Sequence, residues 1–200
     1  MTDDRTPRTG AAAVPEIDPN AETRLVHYTI VDGKATLSNE QLAKIFLQAK
    51  QERLVPLVFY NMDPDMGPEQ FINFYAPGGP RLLWLIVHGN RVAGWIWIDD
   101  LQNRTGRSHF CFFRWVSAAK LTEQIGRDTF RTIFQVKFKN DAQIQLLRAE
   151  MPGFNRPGLW FLEKVGFKAI GEMPGAALRY TSGRFYPMTY LYLTPDAIPD

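Results

Sequence analysis

Apolar positions change period along the chain, and each change marks an element. Residues 25–31 alternate well enough for a strand, closed by the turn pair Asp32-Gly33. Ser38 then opens a helix: its hydroxyl can cap the first turn while Gln41 reaches back, and Leu42, Ile45, Phe46 and Ala49 fall on one face. Residues 62–67 read as a loop, Pro68 starts a short helix with Phe71, Phe74 and Tyr75 inward, and Pro77-Gly-Gly-Pro80 ends it. From residue 81 the period shortens. Residues 81–87 and 92–99 flank the hairpin turn Gly89-Asn90, and both are so dense in Leu, Ile, Val and Trp that both of their faces should be covered. A third strand spans 108–116, after a polar loop at 102–107. Helical spacing returns at Leu121, Ile125, Phe130, Ile133, Phe134 and Phe138, predicting the longest helix over 119–139. Residues 144–150 form a strand, Pro157, Leu159, Leu162, Val165 and the stop Gly166 mark a helix, and 167–172 and 187–193 supply two last strands.

The helix at 156–166 carries the most specific pattern. Asn155-Arg-Pro-Gly-Leu-Trp-Phe-Leu-Glu-Lys-Val-Gly166, followed by Phe167, resembles the C-terminal signature of the GNAT acetyltransferase superfamily. Within it the segment looks most like the Asn-x-x-Ser-x-x-x-Leu-Glu-Lys-x-Gly-Phe form of ribosomal-protein N-terminal acetyltransferases, with Gly158 where that form prefers Ser. The element order agrees over residues 25–194. The resemblance implies an α+β fold: a central mixed, mostly antiparallel sheet flanked by helices.

Composition narrows the setting. A chain of 200 residues, 45% hydrophobic, can build one substantial core, so residues 25–194 read as one domain between a disordered tail at 1–24 and a short tail at 195–200. The formal charge of +2, with no long Lys/Arg run, argues against a dedicated nucleic-acid binder. Cys111 is the single cysteine, which excludes an intramolecular disulfide and fits a cytoplasmic protein. The longest apolar run, 82–87, is too short for a membrane helix.

The resemblance also implies chemistry. The family binds acetyl-CoA, as co-substrate, by splaying two parallel strands: backbone groups of the first meet the pantetheine arm, and the next helix N-terminus meets the pyrophosphate. Here the first strand would end at Arg114-Trp115-Val116, with Trp115 and Val116 as backbone donors to the cofactor and to the oxyanion. The family's Gln/Arg-x-x-Gly-x-Gly/Ala loop falls on residues 123–128, where Gly126 matches but Glu123 and Asp128 place carboxylates beside a pyrophosphate. Arg127, with Lys120 and Arg131, could compensate. Asn155 would bond the pantetheine amides or simply cap its helix. The Tyr that many members use to protonate the leaving thiolate is replaced by Leu162, as in the Leu-Glu-Lys subgroup. For the general base, Asp99 and Asp100 are the nearest paired carboxylates, with Glu150 as a further option. The expected function is N-acetylation of an amine on a small molecule or protein N-terminus; the rival is a GNAT-like binding or assembly protein without catalysis.

Patterns from other classes are weaker. His109 and Cys111 share a strand face, the geometry of a thiolate and its base, but read better as core. Asp63-Pro-Asp65-Met-Gly67 lacks the later ligands of a calcium loop. Tyr180, Tyr186, Tyr190 and Tyr192, with Arg179 and Arg184, could stack on bases, yet strand packing explains their alternation.

Overall fold

The structure, a computed structural model, describes residues 17–63, 65–138 and 143–200. Strand β1 (Thr23–His27) is followed by a small hairpin, β2 (Ile30–Val31) and β3 (Lys34–Ala35), turning at Asp32-Gly33. Helix α1 (Asn39–Gln51) starts where its capping residues dictate: Ser38 Oγ accepts the Gln41 N–H (3.2 Å) and Gln41 Oε1 accepts the Ser38 N–H (2.8 Å). A short α2 (Val55–Val58), not foreseen from the sequence, precedes α3 (Pro68–Phe74). Then come β4 (Leu82–His88), β5 (Arg91–Gln102) and β6 (Thr105–Phe112), a short α4 (Arg114–Ala118) and the long α5 (Thr122–Gln135). The chain ends with β7 (Leu146–Pro152), α6 (Arg156–Lys164), β8 (Lys168–Arg179) and β9 (Arg184–Leu193).

Seven strands form one mixed sheet in the order β1-β4-β5-β6-β7-β9-β8, with β6 and β7 its single parallel pair among the described residues. Strand alternation divides the side chains between two layers. On one face Trp95 and Trp97 meet the α1–α3 layer, with Trp95 edge-on to Phe71 (5.7 Å) and Trp97 stacked on Phe59 (5.8 Å). On the other, Phe110 and Phe112 meet Phe161 of α6 at 4.7 and 5.3 Å. No described helix is long and apolar enough to cross a membrane.

Several expectations need correction. The third strand stops at Phe112 and residues 114–118 turn into α4, because a helical turn buries both Trp115 and Val116, whereas strand alternation would have sent one outward. The long helix ends at Gln135, and the part expected at 139 lies outside the described residues. Strands β8 and β9 run on toward each other as a long hairpin through 179–184, whose exposed positions lack a clear two-residue alternation in sequence. Order begins before Leu25: Pro19 O accepts from Gln124 Nε2 (3.1 Å), and Asp18 O lies 3.1 Å from His88 Nε2. Residues 1–16 of the tail expected at 1–24 lie outside the described residues. The C-terminal residues are docked: Pro199 O accepts from Arg131, and Ile198 packs against the core.

Gly166 ends α6 at φ 104°, and a Cβ there would run into Ala197 O, so both the backbone and the docked C-terminus require glycine.

Candidate active site

The site begins where a ladder stops. β6 and β7 pair only at Thr105↔Leu146, Gly106↔Leu147 and Arg107↔Arg148; Ser108 Oγ then donates to Arg148 O (3.1 Å) and the strands diverge. Phe113 N–H bonds to Ala93 O of β5 (2.8 Å), so the two-residue alternation directs the backbone groups of Phe112 and Phe110 toward β7, where no described strand residue pairs with them. An open backbone edge thus faces a narrow cleft of about 60 Å³, lined by Leu57 and Val58 of α2 and by Tyr60, Trp97, His109, Glu150 and Asn155. A larger cavity, about 620 Å³, lies elsewhere, among Gly78, Gly79, Pro80, Leu101, Phe138 and Ile144.

On the α1–α3 side, the divergence gathers a charged cluster. Arg107 Nε donates to Asp99 Oδ1 (2.8 Å), and its Nη1 reaches Glu150 Oε1 at 3.4 Å. His109 Nε2 lies 3.3 Å from the same Asp99 oxygen, and its ring lies flat on Trp97 at 4.4 Å. Burial pushes the Asp99 carboxyl up, but hydrogen bonds from His109 and Arg107, with their charges, outweigh it and hold the group well below the usual carboxylate range. The Asp99 bond keeps Arg107 protonated against its own burial. Burial, followed by the Glu150 carboxylate, pushes the Tyr60 phenol up. Cys111, on the same strand face, is buried and its thiol is pushed well up, first by burial and then by Glu52; its sulfur is directed to the Phe112 carbonyl, and among the described residues no hydrogen bond joins it to His109.

The expected acidic pair is divided. A bulge after Asp99 leaves Asp100 at φ 49°, bonded to Arg148 Nη2 (2.5 Å) and bordering the large cavity, while Asp99 joins His109. Trp115 and Val116 sit buried in α4 rather than at a strand end: Val116 N–H is committed to Phe113 O, and the Trp115 indole N–H to Val92 O. The first α4 amide, Arg114 N–H, is taken by Glu52 Oε2 at 2.6 Å. Residues 123–128, matched to the family's loop motif, lie within α5, as their helical spacing predicted. Gly126 lies inside α5 against α6, where a Cβ would fall 2.5 Å from Phe161 Cε2. The amides not committed within the helix are therefore those of the first α5 turn, from Thr122, and no side chain caps them. Glu123 pairs with Arg127 at 3.9 Å and Asp128 with Arg131 at 3.8 Å, so neither carboxylate stands uncompensated.

Asn155 caps α6, its Oδ1 accepting the Gly158 N–H (3.2 Å), and it also lines the cleft. A Cβ at Gly158 would stand 2.8 Å from both Asn155 Nδ2 and Met151 Sδ, so a larger residue there would require those side chains to shift. Arg107 and Tyr60 were not singled out in the sequence. Only the register of β5 against β6, Asp99↔Arg107 and Trp97↔His109, brings the cluster together.

No protein-family model matches the sequence, and no curated protein matches it. Solved structures do. The spermidine N-acetyltransferase from Vibrio cholerae, in complex with CoA and spermine, superposes with a TM-score of 0.62 at 10% identity, covering 86% of this chain and 96% of that one. The microcin C7 self-immunity acetyltransferase MccE, in complex with acetyl-CoA and AMP, gives 0.65 at 13% identity, covering 88% and 94%. At such identities the likeness speaks to architecture, and with the strand order and the single splayed parallel pair it shows that this chain has the α+β fold of the GNAT acetyltransferases.

Proposed function

We propose that the protein transfers an acetyl group from acetyl-CoA to an amine, on a small molecule or a protein N-terminus, in the cleft between β6 and β7. The observation that supports this best is the interrupted parallel ladder, which leaves the Phe110 and Phe112 backbone open beside Asn155. The CoA and acetyl-CoA bound by the two neighbours agree with it. In this reading the Phe110 and Phe112 backbone and the Asn155 amide meet the pantetheine arm. The uncapped first turn of α5, with Lys120 and Arg127 nearby in sequence, attracts the pyrophosphate through unpaired amides and the helix dipole. Acetyl-CoA brings the activated thioester, and the acceptor amine approaches from the α1–α3 side. Attack is direct, because the one cysteine is buried and held protonated.

A second reading, a binding or assembly protein without turnover, draws on the small volume of the cleft, about 60 Å³, and on Leu162, fully buried where many acetyltransferases carry a tyrosine acid. Calorimetric titration with acetyl-CoA, followed by amide NMR, separates the two. The transferase reading expects saturable shifts at Phe110, Phe112, Thr122 and Asn155; an absence of binding at millimolar acetyl-CoA would refute it.

A further inference from the structure

Building on the acyltransferase reading, we propose that His109 is the general base that takes the proton of the acceptor amine, with Asp99 as its positioning residue. The paired carboxylates suggested by the sequence are poorly placed for that task. Asp99 spends its charge on Arg107 and His109, and Asp100 is turned toward Arg148. Glu150 lines the cleft but shares Arg107. His109 differs in three respects. Its Nε2 faces Asp99 Oδ1, and among the described residues its Nδ1 has no hydrogen-bond partner. Its ring is held flat by Trp97, which fixes the plane in which Nδ1 points. Its side chain is 26% exposed while Asp99 is 13% exposed, so the imidazole is reachable and its anchor is largely shielded from water.

This is the arrangement a base requires: one nitrogen anchored on a carboxylate that stabilises the imidazolium, the other available at the cleft. The titratable groups around it are Asp99 from β5, Arg107 and Cys111 from β6, Glu150 from β7 and Tyr60 after α2. The anionic Asp99 is the one in direct contact. In the step itself the amine lone pair forms the new N–C bond at the thioester carbonyl. The C–S bond breaks with its electron pair on sulfur, the amine proton passes to His109 Nδ1, and the CoA thiolate takes up a proton from solvent.

The test follows release of free CoA from acetyl-CoA, with spermidine, glycine and benzylamine as probe amines and with water as the slow alternative acceptor. His109→Gln should bind acetyl-CoA as the native protein does and lower kcat by about 10²-fold or more. It should also remove the acid limb of the pH–rate profile. His109→Gly should regain rate on addition of imidazole, which a purely structural role would not produce. Asp99→Asn should lower kcat while leaving acetyl-CoA affinity unchanged, since it weakens the anchor that orients the imidazole without touching the cofactor. Native turnover and an unchanged pH profile in His109→Gln would overturn the assignment alone, as would a native protein that binds acetyl-CoA yet accelerates neither aminolysis nor hydrolysis. Failure of the native protein to bind acetyl-CoA would overturn the acyltransferase reading and this assignment with it.

Discussion

The two faces of β6 do different work from one eight-residue strand. Its odd residues Arg107 and His109 project toward the α1–α3 side and join Asp99, Glu150 and Trp97 in a polar cluster at a cleft. Its even residues Phe110 and Phe112 project the other way into an aromatic seam with Phe130 and Phe161, closed by the missing Cβ of Gly126. A two-residue period keeps these environments a sheet thickness apart, so the packing face can be dry and dense while the other holds charge. What distinguishes them energetically is the currency of stability: buried aromatic contact on one side, mutual compensation of charge on the other.

Changes on each face should therefore separate stability from pH response and ligand affinity. The largest effect is expected on the seam: Phe161→Ala removes a buried ring that contacts Phe110, Phe112 and Phe130, and should cost about 3–5 kcal/mol in denaturant unfolding. A loss below 1 kcal/mol would mean the seam is loosely packed. Next is the anchor of α6. Gly166→Val forces a β-branched residue to φ 104° against Ala197 O, and should cost about 1–3 kcal/mol unless residues 195–200 undock. Truncation after Thr194 should then relieve part of the penalty, and an unchanged penalty would assign all of it to the backbone.

The polar face should report through pH. The folded-state pKa of Asp99 is depressed, so its contribution to stability is present above the ordinary carboxylate value, near 3.9, and is lost as pH falls through that range toward the lower folded value. Thermal midpoints measured from pH 6 down to pH 2 should fall less steeply in Asp99→Asn than in the native protein; parallel curves would show that other carboxylates dominate acid unfolding. The smallest effect belongs to the partly exposed Glu123–Arg127 pair on α5. Glu123→Gln should leave stability within about 0.5 kcal/mol and tighten acetyl-CoA a few-fold, whereas Arg127→Ala should weaken it; calorimetry that finds neither change would place the pyrophosphate away from the first α5 turn.

Local rules made much of the architecture readable. Ser38 and Gln41 bracket the start of α1, Gly89-Asn90 closes the β4–β5 hairpin, and Asn155 with Gly166 delimits α6, because caps and turns act through neighbours in sequence. The same pattern, through its resemblance to the GNAT signature, pointed to the fold that the structure displays. Residues whose meaning depends on distant partners stayed hidden. Gly126 looked like a phosphate-loop glycine because the sequence does not reveal Phe161 above it, thirty-five positions onward. Trp115 and Val116 suggested a strand end because burial of both was not yet known, and α2 was too short to have a period. The cluster of Asp99, Arg107, His109 and Glu150 draws on three strands, and a one-residue slip in register would send its members to opposite faces. Periodicity and caps specify which stretches become strands and helices. The pairing register, which only the assembled sheet imposes, specifies which charges meet.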